Sequence, residues 1–369
     1  MILKSIEIVN FKNIEEARLE FPAGVNCLLG DNGMGKSNLL EAIHFLCLAR
    51  PMSSIPESAL LRHGTDLMSV RGQFLTDAGS DEEVGIGIVR GKGKSLRRNG
   101  KEYDRISRHI GSFPLVSVTP RDHEIVAGPG EERRKLMDMV ISQAHPSYLS
   151  QLVRYNRALE SRNRMLRAGV RDNILFESVE SVMEETSAAI HKTRSEWTSL
   201  MAPEIARYYA DIACAPETAG LSYRSVLNEA PLHEVLARSR GKDAALGFTS
   251  QGIHRDDLYT SLNSYSLRRL GSQGQIKTFT LALRLAIFDY LRDTGGQVPL
   301  LLLDDIFDKL DSGRVARIMR LVSASANFRQ IFITDTNRQH LDEILSHLDG
   351  DKQLIKVSGG KFYAMRNEE

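Results

Sequence analysis

One segment constrains this chain more than any other. Gly30-Asp-Asn-Gly-Met-Gly35-Lys36-Ser37 follows a short, nearly all-apolar stretch, Val25 to Leu29, and precedes Leu39, Leu40, Ile43, Leu46 and Cys47 at helical spacing. A short apolar run of that kind reads as a buried strand. The unit is therefore strand, loop, helix, which is the context that makes GxxxxGK[ST] a phosphate-binding loop rather than a plain glycine-rich turn. Its glycines let backbone N–H groups close around phosphate oxygens at the helix N-terminus, Lys36 neutralises β/γ charge, and the Ser37 hydroxyl can ligate Mg²⁺.

A second element completes that chemistry. Leu300 to Leu303 is a buried-type strand that ends in Asp304-Asp305. Two carboxylates at the end of such a strand are costly without a cation nearby. Asp304 is thus the candidate Mg²⁺ ligand, and Asp305 the candidate base that polarises an attacking water. Ser272-Gln-Gly274-Gln275 opens a helix shortly before this strand, and taken alone it reads as an ordinary helix start. From about residue 247, helices and strands alternate: a helix near Ser272 to Leu291, the strand at 300, a helix after Asp311 and a strand from Gln330 to Ile333. That rhythm predicts a parallel sheet covered by helices, an α/β fold.

The first half reads differently. Ile6-Glu-Ile8 and Ala17-Arg-Leu-Glu-Phe21 alternate with strand period, and alternation returns in Met68, Val70, Gly72, Phe74 and in Val84, Ile86, Ile88. Asn99-Gly100 is a hairpin signal. Residues 67 to 118 thus form a β-rich lobe. Between about 131 and 215, Tyr148, Leu152, Tyr155, Leu159 and Leu166 share one helix face. Leu175, Val179, Val182, Thr186, Ala189, Thr193, Trp197 and Leu200 mark a second seam, which predicts a short antiparallel helical arm that Pro203 bends or restarts.

Composition narrows the partners. No apolar run approaches the roughly 20 residues of a membrane span. Lys4 and Glu7 interrupt the N-terminal stretch where a secretory signal needs an apolar core. Cys27, Cys47 and Cys214 include no CxxC pair, so a reducing cytoplasm is the expected setting, with no membrane partner. Lys plus Arg number 48 and Asp plus Glu 47, so any nucleic-acid surface must be local. Two windows qualify. Residues 90 to 108 carry Arg90, Lys92, Lys94, Arg97, Arg98, Lys101, Arg105 and Arg108 against Glu102 and Asp104, and residues 154 to 171 are rich in Arg. Either window can also be a solvated face. Arg97-Arg98 beside a hairpin tip is the better DNA candidate, because a projecting ribbon can reach phosphates.

The order of motifs carries a resemblance. Phosphate-binding loop, Ser272-Gln-Gly274-Gln275, apolar strand with Asp304-Asp305, then Leu310-Asp311 is the order of the ABC-type ATPases, and most of the chain lies between Lys36 and Ser272. Further blocks are Asn10-Phe-Lys12-Asn13, Pro120, Gly128-Pro-Gly130, Arg133-Arg-Lys-Leu-Met-Asp138 and Gly252-Ile-His254-Arg255-Asp256-Asp257-Leu258. In these the chain resembles the RecF family across essentially its whole length. It departs from the family pattern at Arg121, Leu136, Gly271, Asp308-Lys309 and Thr334-Asp-Thr336, the last standing where a switch histidine is usual. His254 with Asp256 and Asp257 reads as a hydrogen-bonded charged loop, and no metal is assigned there.

The resemblance implies an ABC-type P-loop ATPase head with a β-rich lobe and a helical insertion. Its segments are then 1–125 with the P-loop, 126–245 as the insertion, and 246–369 with the signature and Asp304-Asp305. It further implies ATP and Mg²⁺ as cofactors, held by Lys12, Gly30, Asn32, Gly33, Gly35, Lys36, Ser37, Asn38 and Asp304, with Ser272, Gly274 and Gln275 completing the site of a second copy. Lys36 and Asp305 are the implied catalytic pair. The implied role is an ATP-driven homodimeric clamp on double-stranded DNA and single-strand/double-strand junctions. It would hydrolyse ATP slowly and work with RecO and RecR in recombinational repair, replication restart and the SOS response. Two rivals keep the head but change the task. A transporter-type ATPase needs closer motifs, and a nuclease-associated head needs an acidic domain for which too few residues follow Asp311.

Overall fold

The computed structural model describes residues 1–53, 55–213, 215–306, 312–323, 328–346 and 350–365. Leu310-Asp311, Asp308-Lys309 and Cys214 lie outside the described residues. The chain packs as two compact units, Met1–Pro120 with Ile287–Glu369, and Arg121–Ala286.

The first unit opens with β1 (Ile2–Phe11), β2 (Ile14–Glu20) and β3 (Gly24–Leu29), followed by helix α1 (Lys36–Leu48). Strands β4 (Leu67–Leu75), β5 (Asp81–Val89), β6 (Gly93–Arg98) and β7 (Lys101–Glu102) then build an antiparallel sheet of order β2-β1-β4-β5-β6-β7. Asn99 and Gly100 both take positive φ, the conformation that a two-residue turn between twisted strands requires. After β8 (Leu115–Val118) the chain leaves for the second unit.

That unit contains α2 (His123–Ala127), α3 (Gly130–Ala144), α4 (Pro146–Arg167), α5 (Asn173–Ala213), β9 (Ala219–Arg224), α6 (Leu232–Leu246), β10 (Asp257–Leu262), β11 (Tyr265–Ser266) and α7 (Leu267–Leu270). Helix α8 (Gln273–Gly295) returns the chain to β12 (Leu300–Asp304), α9 (Ser312–Ser323), β13 (Gln330–Asp335), α10 (Arg338–Ser346), β14 (Lys352–Ser358) and β15 (Lys361–Met365). These strands join β3 and β8 in a second sheet of order β15-β14-β3-β13-β12-β8, parallel except for β15. Helix α1 touches strands of both sheets of the first unit. It buries apolar residues all round, as a helix enclosed on every side must.

Within the second unit, α4 and α5 form an antiparallel hairpin. Arg154 on α4 reaches Glu185 on α5 at 3.0 Å, Arg162 reaches Glu180 at 2.8 Å, and the Tyr148 hydroxyl accepts from Arg194 Nε at 3.0 Å. The buried faces differ from the sequence expectation. On α4, Leu152 and Leu159 are only half-buried while Arg162 is fully buried. On α5 the seam runs through Phe176, Met183, Ile190, Trp197, Met201 and Ile205, and Leu175 and Leu200 are exposed. An apolar count cannot foresee a core arginine whose partners lie on two other elements. Pro203 sits inside an unbroken α5, because the buried stripe from Met201 to Ile212 continues past it and outweighs one lost backbone hydrogen bond.

The expected segment boundaries also shift. Residues 246 to 286 pack with the second unit, since β10 pairs with β9 from Asp257↔Arg224 to Leu262↔Ala219, and the division falls inside α8.

Candidate nucleotide site

Strand register builds the site. In the parallel sheet, Leu29 at the end of β3 lies opposite Asp335 of β13, and Asp304 at the end of β12 lies opposite Thr334. The glycine-rich loop after β3 and the acidic pair after β12 therefore emerge at one sheet edge, although most of the chain separates them. Crevices at the carboxyl ends of parallel strands are where α/β folds bind ligands.

The loop is held from both sides. Gly35, with φ of +115°, adopts a conformation that side chains rarely take, and a Cβ there would press on the Asn13 amide. A Cβ on Gly30 would collide with the Val357 carbonyl oxygen of β14. Gly360, in the turn between β14 and β15, donates its N–H to Met34 O at 2.8 Å. Asn38 donates to Asn13 Oδ1 at 2.7 Å. No side chain caps α1, so its N-terminus is open to an anion.

Lys36 is buried, and its ammonium donates to the carbonyls of Gly30 at 2.5 Å and Asp31 at 3.0 Å. Burial lowers its pKa below the ordinary lysine value, while Asp305, Asp304, Asp335 and Asp31 pull the other way. Opposite it, the Ser37 hydroxyl donates to Asp304 Oδ1 at 2.8 Å, and Thr334 Oγ1 donates to the same oxygen at 2.8 Å. Burial raises the Asp304 pKa, and the two hydroxyls hold it back. Asp305 has φ of +47°, and its N–H donates to Thr334 Oγ1 at 2.9 Å. A hydroxyl beside a buried carboxylate is a hard-oxygen pair that suits Mg²⁺ with phosphate oxygens. The residues fit both groups.

Other sequence candidates lie as follows. Asn32 and Gly33 are exposed at the crest of the loop. Lys12 forms an ion pair with the buried Glu41 of α1. In the second unit, Ser272 and Gln275 bond each other reciprocally at the start of α8. Ser272 N–H donates to Gln275 Oε1 at 2.8 Å, and Gln275 N–H to Ser272 Oγ at 3.2 Å. This is a capping box, and it leaves Ser272 exposed with Gly274 half-buried behind it. Thr334, Glu41, Asn13 and Gly360 carry site geometry that motif reading did not assign. Asn13 and Thr334 stood in stretches the sequence singled out without a site role, Gly359-Gly360 left a turn signal between two strands, and Glu41 left none.

The basic windows separate by partner. Arg98 is bidentate to Glu82 at 2.8 and 2.9 Å and stacks on Phe113, Lys94 pairs with Glu57, and Arg90 pairs with Asp66. Lys92, Arg97, Lys101 and Arg105 are exposed and, among the described residues, form no ion pair. In the other window Arg162 is fully buried and bound to Glu180 and Asp243. The His254–Asp257 block is a hydrogen-bonded charged network around the buried Asp256: Arg194 binds Asp256 at 2.8 Å, and Arg133 binds the part-exposed Asp257 at 2.6 and 2.9 Å. His254 is held between Tyr155 and Thr249.

A parallel sheet with a P-loop and an acidic pair at one edge, and a serine-capped signature helix opening the return to it, defines an ABC-type ATPase head. Residues 2–357 match the RecF/RecN/SMC N terminal domain family. The DNA replication and repair protein RecF of Porphyromonas gingivalis is 45% identical over 364 residues, covering 98% of this chain and 100% of that protein. The protein of the same name from Bacteroides fragilis is 44% identical over 370 residues, covering 100% of both. Among solved structures, the recombination mediator protein RecF-ATP of the RecFOR pathway superposes with a TM-score of 0.89 at 29% identity, covering 99% of this chain and 97% of that one. The Smc head domain of Pyrococcus furiosus shares the fold, with a TM-score of 0.60 at 18% identity. The chain belongs to the RecF family. Among the described residues no helix is long and apolar enough to cross a membrane.

Proposed function

We propose that this chain is a cytoplasmic, ATP-dependent DNA-binding protein of recombinational repair that uses slow hydrolysis as a switch. The observation that carries the reading is the Ser37 hydroxyl set 2.8 Å from the buried Asp304 carboxylate beside an uncapped α1. Lys36 exchanges its two carbonyl partners for β/γ-phosphate oxygens, and Ser37 with Asp304 holds Mg²⁺. When bound, the ion screens phosphate charge. Asp305 orients the attacking water, and its side chain is one methylene shorter than a glutamate, so turnover is slow. Thr334 fixes both aspartates.

ATP then dimerises two heads. Ser272, Gly274 and Gln275 of one copy meet the phosphates held by the other, and the dimer encloses duplex DNA near single-strand/double-strand junctions. The expected partners are RecO and RecR, with roles in replication restart and the SOS response. Full-length coverage of RecF relatives weighs against the transporter-type and nuclease-associated rivals.

Light scattering after size exclusion tests this. The wild type should be monomeric alone and dimeric with ATP, more so with duplex. Lys36→Ala should lose ATP binding, whereas Ser272→Arg should bind ATP and stay monomeric. Mixing the two variants should recover ATPase activity, because one composite site is intact. A Ser272→Arg protein that dimerises normally with ATP overturns the trans assignment, and Lys36→Ala with full ATP affinity overturns the site.

A further inference from the structure

The second unit holds a recess of 320 Å³ that the nucleotide site does not use. Its lining is polar and strongly basic. Arg224 comes from β9, Arg268 and Arg269 from α7, and Arg133 from α3, and among the described residues Asp257 is the only carboxylate in the wall. That carboxylate is already neutralised, because Arg133 takes both of its oxygens and gives its remaining nitrogen to the carbonyls of Ile125, Val126 and Gly128. Arg224, Arg268 and Arg269 therefore face the recess with three uncompensated charges. All three are exposed, and among the described residues none has an ion-pair partner.

Structural roles do not account for the three together. Cations at the end of a helix are favoured by its dipole, which could place Arg268 and Arg269, but α7 is a single turn and Arg224 lies on a different element. Arg224 is also pre-oriented, its guanidinium 3.9 Å from the centroid of the Tyr259 ring. Ser266 adds a hydroxyl to the same wall. Convergent guanidinium forks with a hydroxyl in a concave site match the oxygens of a phosphate group.

We propose that this recess is a phosphate-binding site, and that its occupant is a backbone phosphate of a nucleic-acid strand. The choice of source rests on the DNA-binding reading above. A nucleic acid fits the exposure of the three arginines at an open recess, whereas the ATP phosphates already have their own site at Lys36.

Two measurements on the full chain test it. In the first, arginine modification by phenylglyoxal is mapped residue by residue, with blunt duplex DNA, with inorganic pyrophosphate, or with neither. Duplex should protect Arg224, Arg268 and Arg269 and leave Arg238, already paired with Glu234, unchanged. Protection by pyrophosphate alone would keep the phosphate site and overturn its nucleic-acid source, and protection by neither would overturn the site.

In the second, the salt dependence of duplex binding is compared for wild type and an Arg224→Ala, Arg268→Ala, Arg269→Ala variant. Each lost phosphate contact removes about 0.9 from the log-log slope, so the triple variant should fall by up to about 2.7. Triple replacement by Lys should keep the slope, which separates lost charge from misfolding. A wild type that binds duplex with a slope the alanine variant leaves unchanged overturns the nucleic-acid source. If the wild type binds no duplex at all, the DNA reading falls, and pyrophosphate protection still decides the recess.

Discussion

At the scale of single residues, the site depends on one hydroxyl that no motif names. Thr334 Oγ1 donates to the Asp304 carboxylate and accepts the Asp305 N–H, so it orients the one side chain and fixes the backbone of the other. Groups that orient the ligands of an ion typically change affinity or activity by about 10–100-fold when removed. Thr334→Val is expected to lower Mg²⁺-dependent ATP turnover by about 10-fold while nucleotide affinity changes by less than about 3-fold, and Thr334→Ser should restore turnover. Steady-state ATPase assays beside equilibrium nucleotide binding check this, and unchanged turnover in Thr334→Val would remove Thr334 from the site. The carboxylates themselves were legible, because two acids ending an apolar strand need a reason to be there. Thr334 was not, since its role exists only through the pairing of β12 with β13.

Single elements obey the same division. The α4–α5 hairpin follows from helical periodicity, but among the bridges that hold its two helices in register is Arg162, fully buried against Glu180, Asp243 and Thr249. Truncating one partner of a buried ion pair leaves charge without compensation, at a cost of about 3–5 kcal/mol. Arg162→Ala should therefore lower the denaturation midpoint of this unit strongly, and chemical denaturation followed by Trp197 fluorescence would report it. A midpoint equal to wild type would show that the network contributes nothing. The β6–β7 hairpin divides its charges differently. Arg97→Ala with Lys101→Ala is expected to reduce the salt slope of duplex binding by up to about 1.8 without loss of stability. Arg98→Ala should instead loosen the hairpin, since Arg98 is committed to Glu82 and Phe113. An Arg98 variant that altered only the salt slope would reverse that division.

Over the whole molecule, the buried His109 and the half-buried His254 predict the response to acid. His109 is held by Leu46 O, and His254 by Thr249 O and Tyr155; burial depresses each pKa from 6.5 to about 4. Between those values the unfolded chain binds protons that the folded chain refuses. Stability should thus be full above about pH 6.5 and fall as pH drops towards 4, by on the order of 3 kcal/mol per histidine. Thermal melts across that range check it, and His109→Gln should flatten part of the decline. A flat pH profile in the wild type would mean that these imidazoles are not held neutral.

The P-loop unit, the parallel-sheet rhythm, the Asn99-Gly100 turn and the acidic strand end were determined by sequence alone, because each is a local pattern with a local physical cause. Tertiary structure decided the rest. Register brought Thr334 to Asp304, Glu41 received Lys12, Arg162 was withdrawn from solvent by carboxylates on two other helices, and Arg98 was engaged by Glu82 across a strand pair. Such pairings depend on which distant residues share a neighbourhood, and one-dimensional spacing carries no information about that.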